Sequence, residues 1–469
     1  MKLLIGLLAA IVIFYISSLN WRHTVKAVLF ILVVEGALRK WIFPQASDLI
    51  YFLKDFLLLG AYLSYFGFLK STRQSRVKNL WINMLIFFVT GWCIFQAFNP
   101  SLGSLVVGIF GLRGYLLYIP LIWIIPNLFQ SRGELEQFLR SHLLLVIPVG
   151  ILGIAQFFSP PSSPINVYAP GDVADVATFG GGTGIVRVTG TFSYLSGFSV
   201  YLLVCFALLI PLVSLKQSRR WQSIYITELL LVVVNSFMTG SRGLIISEIL
   251  FLFGYFGIRA FILPSGVVRL IKRFFVPILG ISLAVTFWFQ PAIEVFWMRT
   301  TSNQDLPERI QRNLTQPFEF FQYKALDGYG TGATHQATPA LRAALDLPRG
   351  ELIPTQFEGE MGKVSLEIGP IGFFLWYALR ASLVVYLGLL VWKLKIPFLR
   401  QLALAAFLIH AINLRGQVVF NHTFSIYYWF LAGFIFLLPR LEQIESWQQY
   451  HQQFKFHGQI PNFPHSSNQ

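Results

Sequence analysis

Apolar runs close to twenty residues long recur from residue 2 to residue 439 of this 469-residue chain. A run of about 20 such residues crosses the ~30 Å hydrocarbon layer of a bilayer as a helix. Within lipid, helices and closed barrels are the structures that satisfy their own backbone polar groups. With 55% hydrophobic and only 12% charged residues, the length prior of two or three soluble domains gives way to one integral membrane domain. The expected fold is all-α, a polytopic transmembrane helix bundle of about 12–13 spans, with 24–38 and 400–414 the shortest. The domain reading is a single membrane domain over 1–440, carrying a long extracytoplasmic loop at 294–363, followed by a disordered cytoplasmic tail at 441–469. The first span, from Leu3 to about Leu19, has no basic region beyond Lys2 and no small-residue cleavage site, so it reads as a retained helix.

Basic residues set the orientation. Arg22/Lys26, Lys70/Arg73/Arg76/Lys78, Arg132/Arg140, Lys216/Arg219/Arg220, Arg269/Lys272/Arg273 and Lys393/Lys395/Arg400 fall on one side of the alternating spans. The positive-inside rule makes that side cytoplasmic, with the N-terminus outside and the C-terminus in the cytoplasm. The net charge of +15 is thereby accounted for. Basic residues dispersed among spans are not the footprint of a nucleic-acid-binding module. Cys93 and Cys205 both lie in apolar runs and read as small core side chains, with no disulfide framework and no metal pair.

Against this background the segment from Arg299 to Lys363 stands out. It carries seven basic residues, His335, Glu351, Glu358, Glu360 and the glycine-rich turn Gly328-Tyr-Gly-Thr-Gly332. That turn lacks the spacing of a dinucleotide fingerprint and the Gly-Lys-Ser/Thr of a P-loop. It reads as a place where the backbone passes close to a ligand or to another helix. Arginine offers a planar fork of donors to phosphate oxygens at any relevant pH, so the outer segment suits a phosphate or pyrophosphate. Glu358, Glu360 and Glu367 are candidate bases for deprotonating a hydroxyl, and His335 is a further candidate or a merely structural histidine.

Ionisable residues at membrane depth form a second group. Glu35, Lys54, Asp55, Arg113, Glu228, Glu248 and Arg380 qualify. Glu35 and Arg39 lie four apart on one helical face and can pair. Lys54 and Asp55 can pair with opposite charges on neighbouring helices and fix their register. Arg39 and Lys40 stand near the outer surface, where snorkelling is the plain explanation. Arg113, flanked by glycine in Gly111-Leu-Arg-Gly-Tyr115, reads as a turn near an outer span end, suited to holding an anion.

Several stretches, in this order along the chain, resemble the bacterial O-antigen ligase and O-antigen polymerase superfamily of polytopic membrane glycosyltransferases. Arg187-Val-Thr-Gly-Thr-Phe-Ser193 resembles the family's Arg-x-x-Gly-x-Phe entry to a span. Thr239-Gly-Ser-Arg-Gly243 is similar to its Ser-Arg-Gly/Ala turn. Arg309 precedes Gly328-Tyr-Gly as an arginine precedes the family's G-x-G turn, and Glu367-Ile-Gly-Pro-Ile-Gly372 resembles its Glu-x-Gly-x-x-Gly. Glu35-Gly-Ala-Leu-Arg-Lys-Trp-Ile-Phe-Pro44 and the Arg113 stretch resemble a subgroup of unassigned proteins of the same type.

The resemblance implies a metal-independent, inverting glycosyl transfer at the outer face of a bacterial inner membrane, without a cofactor. The donor would be a glycan on undecaprenyl pyrophosphate and the acceptor a glycan or lipid. Arg242 and Arg309 match the family's functional arginines, and Arg187 is a weaker third; Arg113 joins them as a pyrophosphate-binding candidate. The family's ligases carry a histidine about nine residues before the Glu of Glu-x-Gly, and Glu358 stands there in this chain. Glu358 or His335 is then the expected base, with Glu360 a further catalytic candidate, and ligation and polymerisation both stay open. The competing expectations are a transporter of lipid-linked or anionic substrates and a non-catalytic scaffold for polysaccharide export.

Overall fold

The structure is a computed structural model of the chain. It describes residues 2–68, 79–170, 176–179, 184–215, 217–262, 290, 293–294, 297, 311, 315–324, 326–357 and 359–456. Among them every extended element is helical, and the one β contact is an isolated bridge between Thr178 and Val186. In chain order the helices are α1 (Lys2–Leu19), α2 (Trp21–Ala37), α3 (Ser47–Tyr62), α4 (Leu80–Ala97), α5 (Leu105–Leu116), α6 (Leu121–Leu128), α7 (Arg132–Leu143) and α8 (Val146–Phe157). They continue as α9 (Leu195–Ser214), α10 (Arg219–Met238), α11 (Arg242–Ile262), α12 (Thr338–Ala344), α13 (Glu360–Lys393), α14 (Pro397–Ile412), α15 (His422–Ala432) and α16 (Phe434–Phe456).

Nine helical stretches among the described residues are long and apolar enough to cross a membrane, each at one of the expected spans. Three of them join consecutive helices end to end: Leu105–Leu128, Arg132–Phe157 and His422–His451. The stretches at 2–19, 24–38 and 400–414 are helical but fall outside the nine. α2 has 17 residues and α14 has 16, so each is short for the hydrocarbon layer. The span expected at 274–296 lies almost wholly outside the described residues.

Short polar side chains open many of these helices by accepting from a backbone N–H of the first turn, the usual N-cap role. Asn20 accepts from His23, Asn79 from Ile82, Ser104 from Val106, Ser131 from Glu134 and Asn421 from Phe424. These caps place helix starts at the edges of the apolar runs.

Contacts between connections sort the bundle into two ends. At one end Lys26 pairs with Glu134 at 2.5 Å, Arg132 with Glu445 at 3.0 Å, and Arg140 bonds Gln217 at 2.9 Å. The backbone N–H of Lys395 donates to Glu442 at 2.7 Å. These are the connections that the basic-residue pattern groups together. Following α2 from Arg22 to Glu35, and α13 from Lys393 back to Glu360, leads to the opposite end. There the Arg187–Ser193 segment, the Thr239–Ser241 turn, the glycine-rich turn and the 413–421 connection assemble.

The longest helix, α13, is broken nine residues after it begins. Gly369 sits at φ 64° and ψ −175°, followed by Pro370, which lacks an N–H. The break frees carbonyls of α13, and the glycine-rich turn takes them. Tyr329 N–H donates to Leu366 O at 2.7 Å and Gly330 N–H to Glu367 O at 2.8 Å. Gly328, Gly330 and Gly332 all have positive φ, and a Cβ on Gly328 would stand 2.6 Å from Gly369 N. On its other side the turn lies against α4 and α5. Thr331 Oγ1 donates to Gly108 O at 3.0 Å, and a Cβ on Gly111 would stand 2.2 Å from Gly332 N. The close approach that the glycines allow is therefore to three helices, α4, α5 and α13.

Candidate functional site

A cavity of about 500 Å³ opens at this end, bounded by Glu35, Arg39, Tyr51, Lys54, Phe192, Tyr194, Phe420, Asn421 and His422. In its wall and behind it lies a network of buried charges. Lys54 Nζ donates to Glu35 Oε2 at 2.7 Å, and Arg113 Nε donates to Asp55 Oδ2 at 2.6 Å. The second Asp55 oxygen accepts from Tyr118 at 2.6 Å. All four charged side chains are at most 10% exposed, so the pairs are sheltered from screening and leave no isolated carboxylate. Lys54 and Asp55 thus pair with neighbouring helices, as their position suggests, and Glu35 takes Lys54.

Arg113 lies within α5 and not in a turn. Its flanking glycines serve packing: Gly111 abuts the glycine-rich turn and a Cβ on Gly114 would stand 2.9 Å from Val419 O. The guanidinium lies over Tyr51 at 4.7 Å and Phe52 at 4.8 Å, and its Nη1 reaches His422 Nε2 at 3.0 Å. Arginine only donates, so His422 Nε2 is the acceptor and its proton sits on Nδ1. That Nδ1–H and the Nη2 of Arg113 are buried donors with no acceptor among the described residues. A buried donor left unpaired costs about 1–3 kcal/mol, and more when charged.

His335 follows the glycine-rich turn and stacks on His422, ring centroids 6.0 Å apart, with the edge of Phe110 at 4.7 Å. Burial, then the nearby charges of Arg113 and Lys363, hold it down to about 4, so it is neutral near pH 7. Its Nδ1 accepts from the Ala337 N–H at 3.1 Å. The neutral ring therefore carries its proton on Nε2 and presents a donor. As a base it would first have to give up the Ala337 bond. Lys363 is a further cation whose charge acts on His335. It is 5% exposed, packs on Phe420 at 4.9 Å and makes no ion pair among the described residues.

The other sequence candidates divide. Glu360 is 2% exposed; one oxygen accepts from Arg380 Nη1 at 2.6 Å and the other from Val419 N–H at 2.9 Å. Arg380 also donates to the Asn413 and Gly416 carbonyls. Both Glu360 oxygens are thus engaged in fixing the 413–419 connection. Glu367 accepts from the Thr334 N–H and hydroxyl, each at 2.8 Å, and anchors the residue before His335. Arg187 Nε donates to Thr239 O at 2.9 Å and so holds the turn that leads into Arg242. Arg242 is the first residue of α11, half-buried, beside that same turn. Arg309 and Glu358 lie outside the described residues.

Arg39 and Lys40 are 5% and 6% exposed, which corrects the snorkelling expectation. Lys40 Nζ donates to Thr189 Oγ1, Gly190 O and Phe192 O at 2.8–3.1 Å; Arg39 donates to Ser47 and to Ser193 Oγ. They bind the Arg187–Ser193 segment to the end of α2.

His422 and Tyr51 were not singled out from sequence. A histidine just after an asparagine N-cap is a weak signal, and its partner Arg113 stands far away in the chain. Among the described residues no group of three or more His, Cys, Asp or Glu side chains is arranged to hold a metal ion. Comparison of the chain with protein-family models gives no match, and comparison with curated proteins gives none.

Proposed function

We propose that this chain is a membrane glycosyltransferase of the O-antigen ligase or polymerase type, acting on glycans linked to undecaprenyl pyrophosphate at the outer face of a bacterial inner membrane. One observation carries the reading. A cavity about 500 Å³ in volume is bordered by Arg39, Lys54 and His422 and backed by Arg113, with two buried donors lacking an acceptor among the described residues. A pyrophosphate is an acceptor-only group of high charge, and such donors are worth most where water is excluded.

In the reaction proposed, a hydroxyl oxygen of the acceptor attacks the anomeric carbon of the glycan from the face opposite the carrier. The bond from that carbon to the pyrophosphate oxygen breaks, and its electron pair stays on the pyrophosphate. Arg39, Lys54 and Arg113 stabilise the charge that grows there, and His335 adds a neutral N–H donor. The acceptor's proton goes to Glu358, since Glu360 is committed to Arg380 and Val419, and His335 Nδ1 to Ala337. The basic connections gathered at the opposite end fit a cytoplasmic face by the positive-inside rule.

The break in α13 is the feature that speaks for a transporter, because unwound helices in transporters offer carbonyls to a substrate or ion. Here the Leu366 and Glu367 carbonyls accept from Tyr329 and Gly330, which favours the enzyme. The test is turnover by the purified protein in liposomes supplied with a glycan on undecaprenyl pyrophosphate and a candidate acceptor. Release of free undecaprenyl pyrophosphate with a lengthened or transferred glycan is expected. Movement of the intact lipid-linked glycan across the bilayer, without bond cleavage, would favour transport.

A further inference from the structure

A second cavity of about 280 Å³ adjoins the first and shares Tyr194, Ser196 and Asn421 with it. The two differ in chemistry. The first is bordered by Arg39, Lys54 and Glu35, whereas no charged side chain is among the described residues that border the second. Its polar groups are neutral: the hydroxyls of Ser196 and Ser199 and the amides of Asn413, Gln417 and Asn421.

These groups are in part uncommitted. Ser196, Ser199 and Gln417 make no side-chain hydrogen bond among the described residues. Asn421 uses its oxygen to cap α15 through the Phe424 N–H, and its amide NH2 makes no bond to a described residue. Hydroxyls and amides both donate and accept. Phosphate only accepts, so a lining of this kind gives it no advantage over a neutral ligand. A saccharide hydroxyl needs both roles. Tyr194, 42% exposed at the wall between the cavities, offers a ring face held edge-on by Tyr168 at 5.5 Å. An aromatic face beside an array of neutral donors and acceptors matches a pyranose, with its apolar C–H face and its rim of hydroxyls.

We infer that the second cavity binds an uncharged saccharide unit, stacked on Tyr194, next to the cationic cavity. The assignment rests on the glycosyltransferase reading and deepens it. The same chemistry suits the first sugar on the lipid carrier and the sugar of an acceptor glycan.

The experiment measures binding to the full-length protein in nanodiscs. The probes are undecaprenyl pyrophosphate, the same carrier bearing one N-acetylglucosamine, and a free neutral trisaccharide. The wild type is compared with Tyr194→Ala, Tyr194→Phe and Gln417→Ala, each checked for unaltered thermal unfolding. If the cavity takes the carrier's sugar, the sugar-bearing carrier binds about tenfold tighter than the bare carrier. Tyr194→Ala then abolishes that preference and Tyr194→Phe keeps it. If it takes the acceptor, the free trisaccharide binds and Tyr194→Ala abolishes that binding instead. Bare carrier binding with neither sugar effect, or sugar effects that survive both Tyr194→Ala and Gln417→Ala, overturns the inference and leaves the glycosyltransferase reading standing. Failure of every probe, the bare carrier included, overturns both.

Discussion

Arg113 serves two masters, Asp55 and the proposed pyrophosphate, and a pair of variants separates them. Arg113 Nε and Asp55 Oδ2 are 2.6 Å apart with side chains 10% and 6% exposed. At an effective dielectric of about 20, charge centres roughly 4 Å apart attract by about 4 kcal/mol. Removing one partner of a buried pair leaves the other uncompensated and costs about 3–5 kcal/mol. Arg113→Met is therefore expected to lower stability by that amount, read as a fall in folded yield and in the unfolding midpoint in detergent. Asp55→Asn added to it removes the stranded charge and keeps an acceptor for the Tyr118 hydroxyl. The double variant is expected to recover at least half of the loss. Neither variant should regain binding of undecaprenyl pyrophosphate or turnover, because both lack the guanidinium. A single variant as stable as the wild type would refute the energetic argument. A double variant that turned over normally would reduce Arg113 to a structural role.

Other outcomes follow from the same geometry. Gly328→Ala places a Cβ 2.6 Å from Gly369 N at a residue with φ 76°; strain and contact together are expected to cost about 2–4 kcal/mol, seen as faster amide exchange at Tyr329 and Gly330. Glu360→Gln is expected to lose folded protein, because Arg380 at 0% exposure keeps its charge; normal yield with abolished turnover would instead make Glu360 catalytic. His335 is held down to about 4, below the ~6.5 of an unfolded histidine. Above pH 6.5 its contribution to stability is fully present, and it is lost as pH falls through 4. His335→Gln should flatten the acid limb of the stability profile between those values, and an unchanged limb counts against this burial. Glu358→Gln is expected to lower turnover about 100-fold or more with carrier binding intact, the range general bases contribute.

The membrane architecture was legible because a bilayer leaves few options to a chain with this hydropathy. Nine spans were legible as apolar runs, whereas hydropathy alone does not decide the short runs 24–38 and 400–414, which fall in α2 and α14 of seventeen and sixteen residues. The glycine-rich turn was readable as a close approach, but its partner was not: nothing in Gly328-Tyr-Gly-Thr-Gly332 names the carbonyls of Leu366 and Glu367 that it meets. Lys54 and Asp55 announced buried pairs by cost alone, whereas the choice of Glu35 and Arg113 depends on how α2, α3 and α5 pack. Glycine beside Arg113 suggested a turn, and the structure uses those glycines to let the glycine-rich turn and the 413–421 connection pack on α5. Glu360 looked like Glu358 from sequence; only its distance to Arg380 separates a register lock from a candidate base. His422 lacked any motif and emerged only where α15 begins beside Arg113.

The most direct test is the glycan and lipid-intermediate profile of a strain lacking this chain, read by gel and mass spectrometry. Accumulation of glycan on undecaprenyl pyrophosphate is expected, as single repeat units for a polymerase or as finished chains for a ligase. Every glycan and carrier pool unchanged from the parent strain would contradict the account.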